Sequence, residues 1–300
     1  MPGPLAVVTD STTALSSEDV ERHRVVVVPL QVVIGAETFA EGGDEVSQER
    51  VTRALRDFEP VSTSRPNPAE FVEAYEALAA RGVSGILSVH LSGDMSGTVE
   101  SARLAAAQVE VPVTVVDTRQ VGAGASFAVL SACEAIEAGA SLDEAAGIAR
   151  RRGEATTSMF YVDTLEYLRK GGRIGHAQAL VGLALAVKPL LRLTDGRVAP
   201  LEKVRTASRA LGRLADLTVE AALESGEEHE VDVVVAHLDS RERAEGLARR
   251  LSDRLAEQLG GREIPVGEVG PVIGVHAGPG MVAVAVSPRS PRSPGAAGVD

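Results

Sequence analysis

The stretch SVHLSGDMSGTVESA, residues 88–102, joins a short apolar run to a helical pattern through a linker crowded with small polar residues. Residues 86–91 have the length and composition of a buried strand. Ser92, Gly93, Asp94, Met95, Ser96, Gly97 and Thr98 follow, and a helix is expected over residues 96–109. A buried strand that feeds a helix through a short loop is the building unit of a parallel α/β sheet. The first N–H groups of such a helix lack intrahelical partners and its dipole favours negative charge, so the loop suits an anionic ligand. The glycines let a ligand approach the backbone, and the hydroxyls add donors. Capping by Ser96 would explain one hydroxyl but not the other two. Asp94 would repel an anion and is expected to point outward to solvent.

The same alternation runs through the first half of the chain. Strands are expected over residues 5–9, 25–34 (with Pro29 inside), 85–89 and 113–117, and helices over 47–57, 68–81, 123–138 and 142–152. Ser141 and Glu144 have capping-box spacing before the last of these. Beyond Gly153 the alternation loosens. Strands are expected over 158–162, 189–193, 197–201, 231–236, 272–276 and 282–287, with helices over 165–170, 207–223 and 241–259. Asp195-Gly196 between two apolar runs is a hairpin signal. The pattern predicts an α/β protein of two domains. Residues 1–155 form an N-terminal domain with a mainly parallel sheet flanked by helices, and residues 156–287 a mixed-sheet α/β domain. Residues 288–300, rich in Pro, Ser and Gly, are expected to be a disordered tail.

Composition narrows the function classes. The chain has 300 residues, 44% hydrophobic and 24% charged, which suits a soluble globular protein. A net charge of −12 argues against binding a nucleic-acid backbone, and 3% aromatic residues against base stacking. The single cysteine, Cys133, cannot form an internal disulfide and is expected to be a small buried residue. The start, MPGPLAVVTD, lacks the basic region of a signal peptide. The longest uncharged apolar run, residues 177–187, falls short of the ~20 residues a membrane span requires. No stable membrane insertion is therefore expected, and a cytoplasmic location is. No metal-ligand spacing, P-loop or nucleophile elbow is present.

Four further stretches carry polar chemistry. STSRPNP (62–68) offers Thr63, Ser64 and Arg65 either to an anion or to solvent as a turn. TDSTT (9–13) ends the first strand. In a parallel sheet the strand C-termini share one edge, so these hydroxyl-rich loops are expected to converge there. LRKGGRIG (168–175) places Arg169, Lys170 and Arg173 at a helix C-terminus, where the dipole already favours cations; LEKVRT (201–206) adds Lys203 and Arg205. In GPVIGVHAGPG (270–280), His276 is framed by Gly274 and Gly278 and is expected to face a ligand. Residues 177–187, apolar all round, are either the wall of an apolar tunnel or an ordinary core helix.

Taken together and in order, TDST (9–12), TSRP (63–66), MSGT (95–98), VDTLEYLRKGGRI (162–174), LAVKPLL (185–191), DGRVAPLEKVRT (195–206) and GPVIGVHAGPG (270–280) resemble the DegV family of bacterial fatty-acid-binding proteins. The resemblance implies two α/β domains with one long-chain fatty acid between them and no other cofactor. It implies a carboxylate held by Thr63, Ser64, Ser92, Ser96 and His276. It further implies, from the members called FakB, presentation of the bound acid to a separate fatty acid kinase, whose acyl phosphate enters phospholipid synthesis. Arg173 and Arg205 match the basic residues suited to that kinase or phosphate step. Where the family often has two adjacent serines, this chain has Gly93 followed by Asp94. The chain shows no nucleophile–base pair and no nucleotide motif, so a binding protein is expected rather than an enzyme. The alternatives are an enzyme handling a phosphorylated small molecule, which requires a polar pocket, and a lipid-bound regulator that serves no kinase.

Overall fold

The structure is a computed structural model that describes residues 3–43, 47–57, 59–177, 188–224 and 230–289. Its first sheet is wholly parallel, ordered β2-β1-β6-β7, from β1 (Leu5–Asp10), β2 (Val26–Val28), β6 (Gly85–His90) and β7 (Val113–Asp117). A second sheet, β4-β3-β5, is antiparallel and built from β3 (Gln31–Ile34), β4 (Glu37–Ala40) and β5 (Val61–Ser64). The third has the order β10-β9-β8-β13-β11-β12: β8 (Thr157–Tyr161), β9 (Lys188–Thr194), β10 (Arg197–Val204), β11 (Val231–His237), β12 (Val266–Glu268) and β13 (Val282–Pro288). Only β11 and β12 pair in parallel there, so this sheet is mixed. The α/β class, with a parallel sheet first and a mixed sheet second, is as the sequence predicts.

The helices are α1 (Ser17–His23), α2 (Gln48–Arg56), α3 (Pro68–Ala79), α4 (Thr98–Ala106), α5 (Ala123–Glu137), α6 (Leu142–Ala155), α7 (Glu166–Lys170), α8 (Ala207–Glu224), α9 (Arg241–Arg254), α10 (Ala256–Leu259) and α11 (Pro271–Ala277). α6 begins with the anticipated capping box of Ser141 and Glu144, and α3 with a second one from Asn67 and Glu70. α5 and α6 pack small side chains, including Ala128, Ala132 and Ala149, on the parallel sheet, with Cys133 buried among them. Both helices also touch β13, so they lie between the two large sheets.

Three expectations are corrected. Residues 25–34 are not one strand but two in different sheets. Pro29 cannot donate to a ladder, and the chain leaves the parallel sheet there to begin the small antiparallel one. Residues 62–64 are not a loop but most of β5, paired with β3 across Val32↔Thr63. Residues 272–276 are helical, not extended. Pro271 opens α11, and Val272 and Val275, one turn apart, enter the core formed by Leu30, Val32, Phe39, Val51 and Leu55.

The mixed sheet is apolar on both faces. Val231, Val233, Val235, Val282, Val284 and Met159 pack under α8 and α9. Phe160, Leu193, Ala236 and Ala283 lie with Leu168, Leu191 and Met281 in a separate cluster that includes Met95 and Ile273. A buried polar chain braces the parallel sheet. Asp10 Oδ2 lies 3.0 Å from His90 Nδ1, and His90 Nε2 lies 2.7 Å from Ser88 Oγ, which is 2.7 Å from the Tyr75 hydroxyl. Asp10 also accepts the N–H groups of Thr12 and Leu91, at 3.1 and 3.0 Å, and thereby ties together the loops after β1 and β6.

Candidate binding cleft

A cleft opens along the second face of the mixed sheet. Met95, Phe127, Phe160, Leu193, Ile273 and Met281 line its apolar length. Thr12, Thr63, Ser64, Arg65, Ser96, Gly97, Arg173 and His276 form one polar part of its lining, and charged side chains such as Glu18, Glu134, Arg151 and Glu268 line it elsewhere. The hydroxyl-rich segments around Thr12, Thr63 and Ser96 therefore do meet at one cleft. They come from two sheets rather than from successive parallel strands, because Thr63 stands on β5.

The polar part is built from pairs distant in sequence. Thr63 Oγ1 and His276 Nε2 are 2.8 Å apart. His276 Nδ1 is buried without a hydrogen-bond partner and sits against Gly171, where any side chain would collide with the ring. Burial, and secondarily the positive charge of Arg173, push the imidazole pKa from 6.5 down to about 4, so the ring is neutral near neutral pH. Arg173 is half-buried: its Nε donates to Met95 O at 3.0 Å and its Nη1 to Gly171 O at 2.7 Å. Ser96 Oγ lies 2.8 Å from Thr98 Oγ1, and Ser64 Oγ donates to Gln31 Oε1 at 3.3 Å.

Ser92 behaves differently. It is fully buried, and its hydroxyl donates to Gly196 O at 2.8 Å while accepting the Asp94 N–H at 3.2 Å. Gly196 is the tip of the β9–β10 hairpin, whose Asp195 and Gly196 both have positive φ, 49° and 76°, as the Asp-Gly signal implies. Asp94 is exposed and does not line the cleft, as expected, and it accepts from Arg197 Nε at 2.9 Å and Nη2 at 2.6 Å, on the first residue of β10. Gly93 is set by Asp117, which accepts the Gly93 N–H at 3.2 Å; a Cβ on residue 93 would stand 2.9 Å from that carboxylate oxygen. Arg205 is exposed in the bend after β10 and does not line the cleft. Of residues 177–187, Ala177 is buried and residues 178–187 lie outside the described residues, as do residues 290–300 of the expected tail.

Sequence reasoning missed the apolar wall. Its signal was present in β8, β9 and β13, where neighbouring residues on both faces are apolar, as in Met159-Phe160. It also missed the docking of the hairpin tip on Ser92, for which no local signal exists.

Among the described residues no helix is long and apolar enough to cross a membrane. Nor does any group of three or more His, Cys, Asp or Glu side chains among them make a metal site.

A parallel sheet and a mixed sheet that share two helices, with a half-apolar cleft where their loops meet, describe an α/β protein with a candidate binding cleft. The chain belongs to the DegV family: the sequence model of these uncharacterised proteins matches residues 4–289. It is similar to the DegV domain-containing protein SCO2569 of Streptomyces coelicolor, at 49% identity over 95% of this chain and 99% of that protein. A relative from Deinococcus radiodurans is 38% identical over 95% of this chain and 99% of its own length. Among solved structures, a DegV family protein of Thermus thermophilus described by its fatty acid binding superposes with a TM-score of 0.87 at 32% identity, over 95% of this chain and 100% of the other. DegV of Bacillus subtilis, described as a fatty acid binding protein, gives 0.85 at 31% identity over 96% and 100%.

Proposed function

We propose that this protein binds a long-chain fatty acid in the cleft, between a domain of residues 1–155 and one of residues 156–287, and presents it to a separate fatty acid kinase in the cytoplasm. The observation that carries the reading is the Thr63–His276 pair at the polar part of an apolar cleft. If His276 Nε2 carries the proton and donates to Thr63 Oγ1, the Thr63 hydroxyl is left to donate to a carboxylate oxygen, with Ser96 as a second donor. The fatty acid binding ascribed to the Thermus thermophilus and Bacillus subtilis proteins supports the same ligand class here.

Magnitudes divide the work. Burying a CH₂ contributes ~0.8 kcal/mol, so about fifteen methylenes offer on the order of 12 kcal/mol before the ~4–15 kcal/mol lost with translation and rotation. A charge-assisted hydrogen bond nets ~1.5–3 kcal/mol. The tail offers most of the gross binding energy, and the polar part adds to the affinity and sets orientation. In the kinase step the presented carboxylate oxygen attacks the terminal phosphorus of a nucleoside triphosphate held by the kinase. An O–P bond forms to give the acyl phosphate, a precursor for phospholipid synthesis, and the nucleoside diphosphate leaves.

Ser92 reaches a carboxylate only by releasing Gly196 O, so its contribution is to hold the loop. Arg205, exposed and away from the cleft, is assigned to the kinase-facing surface. The apolar lining disfavours an enzyme for a small phosphorylated metabolite, which needs a polar pocket.

The test is organic extraction of the purified recombinant protein followed by mass spectrometry, then addition of the kinase and a nucleoside triphosphate. Stoichiometric free fatty acid and its conversion to acyl phosphate are expected. Absence of lipid from folded protein that also fails to take up added fatty acid overturns the reading. Lipid binding without conversion leaves a lipid-bound regulator.

A further inference from the structure

Glu41 does not line the cleft, yet it joins segments that do, through Thr12, Leu30 and His276. It is the residue after β4 and is 6% exposed. Its backbone N–H donates to Leu30 O at 2.8 Å. Its Oε2 accepts the Ser11 hydroxyl at 2.5 Å, and its Oε1 accepts the Val272 N–H at 2.7 Å, in the first turn of α11. Ser11 Oγ also accepts the Leu30 N–H at 2.9 Å. An ionised carboxylate accepts from both of its partners, whereas a carboxamide of the same size would turn a donor on one of them. Gly270 has an ordinary φ of −62°, and a Cβ there would stand 2.5 Å from Glu41 Oε1. The first glycine of GPVIGVHAGPG is therefore explained by the room Glu41 takes, not by backbone strain. Burial pushes the Glu41 pKa up, the Ser11 and Val272 bonds pull it back, and the negative charge of Asp10 raises it again. A carboxylate buried against neutral donors costs free energy that an apolar side chain would not, so packing alone does not account for it.

We propose that Glu41 is a positioning residue for carboxylate recognition: it ties α11 to the small antiparallel sheet so that His276 stands within hydrogen-bond reach of Thr63, and it touches no ligand itself. The inference rests on the fatty-acid reading of the cleft. Thr63 belongs to the sheet that Glu41 leaves, because β4 and β5 both pair with β3. His276 lies on α11, about one helical turn after Val272. The apolar contacts of Val272 and Val275 hold α11 against the sheet but are non-directional. The bond from Val272 N–H to Glu41 is directional and fixes the helix along its axis. A slide of about 1 Å away from Thr63 would carry the His276 ring from 2.8 Å to beyond hydrogen-bond range. Through Ser11 the same carboxylate ties α11 to the loop after β1, so the parallel sheet and α11 meet the ligand in one register.

The experiment measures binding of palmitate, and of hexadecanol as an alcohol of equal chain length, to delipidated full-length protein as wild type, Glu41→Gln and Gly270→Ala. Glu41→Gln keeps the size and turns a donor on Ser11 or Val272; Gly270→Ala keeps the carboxylate and pushes it off the helix. Each variant is expected to weaken palmitate binding about tenfold, near the lower end of what a charge-assisted hydrogen bond is worth, and hexadecanol binding by less than about threefold. A merely structural role would weaken both ligands alike. That result in both variants, or unchanged palmitate affinity in both, overturns the proposal. If Glu41→Gln does not fold, Gly270→Ala decides alone by the same criterion. If the wild type binds no palmitate, the fatty-acid reading fails; if it binds palmitate and neither variant separates the acid from the alcohol, only this inference fails.

Discussion

Thr63 Oγ1 lies 2.8 Å from His276 Nε2 although 213 residues separate them in the chain. One side chain stands on an edge strand of the small antiparallel sheet and the other on α11, whose Val272 and Val275 are anchored in the core under that sheet. The packing of α11 therefore sets the spacing of the two polar groups. Thr63→Val keeps the shape and removes the hydroxyl. Fatty-acid affinity is expected to fall about ten- to a hundredfold, the equivalent of one charge-assisted hydrogen bond, with the fold retained. Displacement of a fluorescent fatty acid measures it, and an unchanged affinity would mean that the carboxylate is read elsewhere.

Ser92→Ala should act on stability more than on lipid affinity. It leaves the buried Gly196 carbonyl and the Asp94 N–H without the partner they now share. The expected loss is about 1–3 kcal/mol in urea denaturation, with a smaller change in fatty-acid binding than in Thr63→Val. The reverse order of the two effects would show that Ser92 releases Gly196 to contact the ligand.

Stability should depend on His276 in mild acid. In the unfolded chain its imidazole titrates near pH 6.5; in the folded protein burial and Arg173 hold its pKa at about 4. As pH falls from 6.5 toward 4, the unfolded state takes up a proton that the folded state refuses, so stability is lost with decreasing pH across that window. Lipid-free wild type is expected to lose about 2 kcal/mol more than His276→Gln between about pH 7 and about pH 5. His237, whose pKa burial also lowers, contributes the same sign in both proteins and cancels in the difference. Parallel curves for the two proteins would show that the ring is hydrated in solution.

Two ion pairs across the chain should differ sharply in worth. Arg152 is 5% exposed, pairs with Asp232, donates to Pro288 O, and lies 5.4 Å from the Phe127 ring centroid, joining α6 to the mixed sheet. Arg152→Met is expected to cost about 3 kcal/mol, the lower end for breaking a buried pair, because Arg289 and Arg262 remain near Asp232. Arg197 and Asp94 are much more exposed, and Arg197→Ala is expected to cost under about 1 kcal/mol, less still in high salt. Comparable losses for the two would contradict this account of where the halves are joined.

What could be read locally was read correctly. The Asp195-Gly196 hairpin, the Ser141–Glu144 capping box and the buried strand before Ser92 each depend on neighbours within a few residues, and those neighbours are in the sequence. What failed depended on partners far away. Thr63 sits in VSTS, too short and polar to announce a strand, and becomes one only because β3 offers a ladder. Residues 272–276 alternate weakly and are equally compatible with a strand or a helix; the core beneath the small sheet accepts Val272 and Val275 one helical turn apart and so decides for helix. The hydroxyl loops, the basic turn and His276 stand out in the chain as a list of polar groups suited to an anion. Which of them face one another was decided by tertiary packing. Ser92 is turned to a hairpin tip 104 residues away, while Thr63 meets His276. The physical reason is that short-range preferences fix backbone conformation residue by residue, whereas the pairing of side chains is fixed by which apolar faces bury one another, and that is a property of the whole fold.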